Sequence, residues 1–135
     1  MLLVDTNIVA YLLIHGDHTA DAQALRLRDP DWRSEAFLMV EFTNVLAASV
    51  AAKRMNVALA QRCLLDAGSV LTGKLARVPH APVLATAAQY RVSTYDARFL
   101  TLAQQLGGRL VTEDLKLRAA APALTQSLSE ALARA

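Results

Sequence analysis

Cysteine is all but missing from this chain: Cys63 stands alone among 135 residues. A lone thiol excludes an internal disulfide and, with no ligand-spaced partner, a thiolate metal site. It fits a reducing cytoplasm and a small, buried apolar side chain. Excess charge is also scarce, with 14 Lys and Arg against 12 Asp and Glu and a net charge of +2. That balance excludes a polycationic nucleic-acid clamp, although a pI of 9.0 leaves the surface mildly basic. No uncharged apolar run reaches membrane-spanning length, so no membrane is expected as a partner. The apolar amino-terminal stretch has no basic leader and is broken at Asp5, Thr6 and Asn7, unlike a signal peptide. Internal repeats, low-complexity tracts and linkers are absent as well. What is plentiful is apolar residues, 54% of the chain, enough for one sizeable core. The expectation is a single cytoplasmic domain over residues 1–135.

The chain is organised around Met1 to Leu13. Leu2, Leu3 and Val4 form a short, continuously apolar run, which reads as a strand buried on both faces in a parallel sheet covered by helices. Asp5 stands at its carboxyl end, where ligand crevices of open α/β sheets lie. Asp5, Thr6 or Asn7 would equally serve as an N-cap for the helix beginning near Ile8. A helix is expected over Thr19 to Arg28 with Ala20, Ala24 and Leu27 on its apolar stripe, then a short strand from Trp32 to Ser34. Phe37 to Ala52 is apolar nearly all round and carries Glu41 as its only charge. A helix apolar on every side is buried, and a carboxylate inside it is costly unless a cation or several donors meet it.

Asn56 is expected to cap a helix from Val57 to about Leu71, Leu75 to Val78 is a strand or connector, and His80 lies in a loop with no assigned role. Pro82 suits the first turn of a helix through Gln89. Thr94 is a plausible N-cap for a helix that starts with Tyr95, Asp96 and Ala97 and stops at Gly107 and Gly108. Its apolar stripe is Phe99, Leu100, Leu102, Ala103 and Leu106. Arg109 to Thr112 reads as a strand, followed by Glu113, Asp114 and a helix from Leu115 to Ala120, which repeats the arrangement at Asp5. Two such strands side by side would bring Asp5 and Asp114 to one edge. Ser127 and Glu130 make a capping box for a final helix.

Asp5, Glu41, Asp96 and Asp114 are thus each aimed inward by burial or a strand end. Clustered carboxylates repel, and an all-oxygen site without His or Cys suits Mg²⁺ or Mn²⁺ rather than zinc. Such ions serve phosphodiester hydrolysis.

With VDTNIVAYLL at the start, VEFTNVL in the middle helix and STYDARFLTLAQQLGGRLVTEDLKL near the end, the chain resembles PIN-domain ribonucleases of the VapC toxin type. The resemblance covers nearly the whole chain and rests on order and spacing together. It implies a three-layer α/β/α sandwich with a mainly parallel central sheet, usually dimeric. It also implies Mg²⁺-dependent endoribonuclease cleavage of a structured RNA such as tRNA or rRNA, restrained by a cognate antitoxin. By the same resemblance Asp5, Glu41, Asp96 and Asp114 correspond to the four acidic metal-site positions, with Thr6, Asn7 and Thr112 as supporting polar residues. Asn44, one turn after Glu41, is a candidate to orient it. Glu113 competes with Asp114, and Glu35 with Glu41. Lys53, Arg54, Arg98, Lys116 and Arg118 are candidate phosphate contacts, with surface solvation as the default for each. Two other readings stay open. One is a PIN-like module that binds RNA or protein and cleaves nothing; the other, a phosphatase with Asp5 as nucleophile, lacks a second Asp where Asn7 stands.

Overall fold

The computed structural model describes residues 1–134. Five strands, β1 (Leu2–Val4), β2 (Trp32–Glu35), β3 (Leu75–Ala76), β4 (Leu110–Val111) and β5 (Thr125–Gln126), form an all-parallel sheet in the order β3-β2-β1-β4-β5. Among the described residues eight helices connect and cover it: α1 (Thr6–Leu13), α2 (Thr19–Arg28), α3 (Phe37–Ala51), α4 (Val57–Val70), α5 (His80–Tyr90), α6 (Thr94–Leu106), α7 (Leu115–Ala120) and α8 (Leu128–Arg134). Helices α1 to α4 and α8 pack among themselves, while α5 packs on α6, which lies against β2 and β4. The result is the expected three-layer α/β/α sandwich.

Parallel strands need long crossovers, and right-handed crossovers fix the face each helix takes. From β1 the chain moves outward through β2 to β3, then returns by α5 and α6 to place β4 on the other side of β1. The direction of winding therefore reverses between β1 and β4. That reversal opens a crevice at the carboxyl edge. Leu3 and Val4 of β1 pair with Leu110 and Val111 of β4, and all four are buried. Trp32, Phe42, Ile8, Leu25 and Leu38 are the bulkiest parts of the core.

Several expected elements shift. Residue 93 rather than 94 caps α6: the Ser93 hydroxyl accepts from the Asp96 N–H at 3.1 Å. His80 is the first residue of α5, not part of a loop. The strand expected from Arg109 contracts to Leu110–Val111, and the unforeseen β5 pairs with it. On α2 the buried stripe is Thr19, Ala22 and Leu25, while Leu27 is 86% exposed, because α1 and α8 choose which face is covered. The apolar helix α3 is not buried all round. Leu38, Phe42 and Leu46 face the core, while Val40, Thr43, Asn44, Ala47 and Ala48 are exposed. The capping box at α8 forms as expected, with the Ser127 N–H donating to Glu130 at 3.1 Å and the Glu130 N–H to the Ser127 hydroxyl at 3.1 Å. No helix among the described residues is long and apolar enough to cross a membrane.

Candidate active site

Four of the helices that begin at the carboxyl edge of the sheet each bring one acid. Helices α1 and α7 follow directly from β1 and β4, so Asp5 and Asp114 are their N-caps. Helix α3 follows β2 and carries Glu41 in its second turn. Helix α6 runs back to feed the amino end of β4, through a left-handed Gly107 at φ 64°. Its own start, with Asp96, is therefore at the carboxyl edge too. Asp5, Glu41, Asp96 and Asp114 all line one cavity of about 500 Å³, together with Thr6, Asn7 and Asn44. A larger cavity of about 730 Å³, between the end of α2, the α6–β4 turn and α8, contains none of the four.

The donors that hold these carboxylates come from the chain itself. The Asp5 carboxylate accepts from the Ile8 N–H at 3.2 Å and from the Thr112 hydroxyl. Thr112 is next after β4 and lies beside Asp5, whose N–H donates to the Val111 carbonyl at 3.2 Å. The Thr112 oxygen in turn accepts from the Asp114 N–H at 3.1 Å, so one hydroxyl links two of the acids. Asp114 accepts from the Leu117 N–H at 3.0 Å. The Thr6 hydroxyl donates to Glu41 at 2.7 Å. Thr6 thus takes the orienting part expected of Asn44, which lines the cavity and forms no hydrogen bond to Glu41. Capping and clustering are not alternatives at Asp5; it does both.

The electrostatics are those of a like-charge cluster. Among the described residues none of the four acids forms an ion pair. Burial, reinforced by the Glu41 charge, pushes Asp5 up to about 6 against the pull of its hydrogen bonds. Glu41 is raised by burial and by Asp96 and Glu35, and Asp96 by burial and by Asp114. Glu41, Asp96 and Asp114 thus each raise another member of the cluster.

The competing acids separate cleanly. Glu113 turns away and accepts from the Leu128 N–H at 3.3 Å, at the start of α8. Glu35 is buried at the end of β2, where it accepts from the Phe37 N–H at 2.9 Å, and it does not line the cavity. The candidate phosphate contacts scatter. Lys53 and Arg54 lie past the end of α3, whose last residue is already roughly 15 Å along the helix axis from Glu41 at about 1.5 Å per residue. Arg118 points toward α8, with Glu130 at 4.0 Å, and Lys116 is exposed on α7. Only Arg98 adjoins the aromatic wall of the site, its guanidinium 5.3 Å from the Phe37 ring centre. That wall, Phe37 stacked on Tyr95, was not anticipated from the sequence. Its one signal was position, with Tyr95 directly before Asp96 and Phe37 one turn before Glu41.

As placed, no three carboxylate, imidazole or thiol groups among the described residues converge closely enough to hold one ion. An all-carboxylate cavity still suits Mg²⁺, which dehydrates reluctantly and binds through one or two carboxylates plus water rather than in a dry protein cage. Uncompensated, mutually repelling acids are the observation that calls for a cation here.

The PIN domain family pattern matches residues 2–122, a span that includes all four acids. The chain belongs to the PIN domain family. No curated protein matches it. Among solved structures it is similar to the crystal structure of PAE2754 from Pyrobaculum aerophilum, with a TM-score of 0.77 at 23% identity, covering 98% of this chain and 94% of that one. At that identity the likeness speaks to the fold alone. Family membership makes this a nuclease-type fold of a class that generally uses divalent metal ions, a hydrolase in general terms.

Proposed function

We propose that this PIN domain is a Mg²⁺-dependent endoribonuclease, with Mn²⁺ as a substitute ion, that cleaves a structured RNA such as tRNA or rRNA as the toxin of a toxin–antitoxin pair. The observation that carries the reading is four carboxylates from four separate elements lining one cavity without a cationic partner. Asp5, Glu41, Asp96 and Asp114 would hold the ion. Bound there, Mg²⁺ supplies a Lewis acid for the phosphate and lowers the pKa of attacking water. The chain's own residues do the rest. Thr112 fixes Asp5 relative to Asp114, Thr6 fixes Glu41 across from them, and Asn7 and Asn44 offer neutral hydrogen-bonding groups to substrate or water at the rim.

A homodimer and a protein antitoxin belong to the same proposal. Their support is apolar surface on α3 and α4, where Leu46, Val50, Val57 and Leu64 line a groove of about 340 Å³ and Leu59 and Leu65 are exposed elsewhere on α4. The wide spacing of the acids favours one rival, a PIN-like module that binds RNA or protein without cutting. Purified protein incubated with total RNA in Mg²⁺, Mn²⁺ or EDTA, beside Asp5→Asn, separates them. Discrete fragments that need metal and vanish in the variant support the nuclease. Intact RNA retained in EDTA and in Mg²⁺ alike leaves the binding module.

A further inference from the structure

The cavity with the acids does not end at them. Tyr95 and Phe37 stack with ring centres 5.3 Å apart and planes within 10°, and both line the acid cavity. Tyr95 is 57% exposed in a protein whose other large rings are mostly covered. Beyond Phe37 and Val40 the surface continues into a second hollow of about 280 Å³, which Arg77, His80 and Arg98 line, with Glu35 already engaged by the Phe37 N–H. A third hollow, of about 350 Å³, shares His80 and Arg98 and extends along α5 to Thr94. The Arg98 Nε is buried without a hydrogen-bond partner, and neither Arg98 nor Arg77 forms an ion pair among the described residues. An exposed aromatic ring followed by guanidinium groups without a carboxylate partner is the pattern that holds a single strand: the ring takes an unpaired base and the cations take its phosphates.

Resting on the nuclease reading, we propose that the RNA strand leaves the acid site along this one side, with an unpaired base stacked on Tyr95 and the adjoining phosphates on Arg98 and Arg77. The substrate class is single-stranded RNA or an unpaired loop. A base inside a duplex cannot reach the ring without leaving its own stack. On the other side of the site, helix α7 carries Lys116 and Arg118, and Arg118 faces Glu130 at 4.0 Å. The strand therefore has a direction across the protein.

The test is binding, so it does not depend on cleavage. In an Asp5→Asn background with Mg²⁺, a short single-stranded oligoribonucleotide carrying 2-aminopurine is titrated while anisotropy and 2-aminopurine fluorescence are read. Quenching on binding is expected. Tyr95→Ala should weaken binding by about 5- to 150-fold, the worth of one base–aromatic stack, and abolish the quenching. Tyr95→Phe should retain both. Arg77→Ala, at an exposed position where folding is not at stake, should flatten the slope of log affinity against log salt by about 0.7, the value for one phosphate on a single strand. Arg98→Ala should do the same. Annealing the oligonucleotide to its complement should weaken binding to the parent. The proposal falls if Tyr95→Ala binds and quenches like the parent, if the duplex binds as well as the single strand, or if the single strand does not bind. Metal-dependent cleavage by wild-type protein that Tyr95→Ala leaves untouched would sink this path and keep the nuclease. Stacked binding without any cleavage would do the reverse.

Discussion

Asp5→Asn should stabilise the metal-free protein at alkaline pH and slightly destabilise it in acid. The Asp5 carboxyl, 9% exposed, titrates at about 6 instead of 3.8, chiefly because of its burial. The folded state therefore holds this proton more tightly than the unfolded chain does. Its contribution to stability is complete below about pH 4 and is lost as pH rises through about 6. The upward displacement is worth roughly 3 kcal/mol at about 1.36 kcal/mol per pH unit. Asparagine keeps the shape and cannot ionise, but its single acceptor oxygen cannot serve both the Ile8 N–H and the Thr112 hydroxyl. That loss costs about 1 kcal/mol at every pH. The variant should therefore gain about 2 kcal/mol near pH 8, or roughly 7 °C in Tm for a chain of this size, and lose about 1 kcal/mol near pH 4. Circular dichroism melts in EDTA between about pH 4 and about pH 8 measure both limits. Two profiles separated by a constant offset would show that Asp5 is not the buried titrating group. Adding Mg²⁺ near pH 8 should raise the Tm of the wild type more than that of the variant, because the variant keeps only Glu41, Asp96 and Asp114 of the four carboxylates that a cation would neutralise.

Thr112→Val should cost about 1–3 kcal/mol by removing at once the donor to Asp5 and the acceptor for the Asp114 N–H. In cleavage assays it should also move the acidic limb of the pH–rate profile upward, since Asp5 loses the hydrogen bond that most lowers its pKa; an unmoved limb would separate Asp5 from the rate. Glu41→Gln should abolish the Mg²⁺-induced rise in Tm, whereas Glu35→Gln, which keeps the acceptor for the Phe37 N–H, should preserve it. The reverse result would exchange their assignments. Ser127→Ala should lower stability by about 1 kcal/mol through loss of the α8 cap, with metal response unchanged; a melt and a Mg²⁺ titration check both halves.

Much of the site was legible in the sequence because its signals are local. Leu2 to Val4 followed by Asp5, and Leu110 to Val111 followed after Thr112 by Glu113 and Asp114, are abrupt passages from apolar to acidic. A buried strand that ends at a crevice must make such a passage. Asn56, Ser127 with Glu130, and Gly107 mark helix ends through hydrogen bonds that span only a few residues. Other features depend on partners distant in the chain. Helix α2 offers several apolar stripes, and which one is buried was set by α1 and α8. Strand β5 has only two residues, Thr125 and Gln126, and is a strand because β4 presents an edge for it to pair with.

By itself the sequence determined the succession of short apolar strands and helices, and it placed an acid at the start of four elements. Covalent order and local hydrogen bonding suffice for that. The tertiary structure decided what the acids do to one another. The winding reversal between β1 and β4 brings Asp5 beside Thr112, and the return of α6 sets Asp96 facing Asp114. It also separated Glu113 and Glu35 from the cavity by giving each a backbone N–H elsewhere, and stacked Tyr95 on Phe37 across residues far apart in the chain. Repulsion between carboxylates and contact between rings depend on distances through space, which only packing of the whole chain sets.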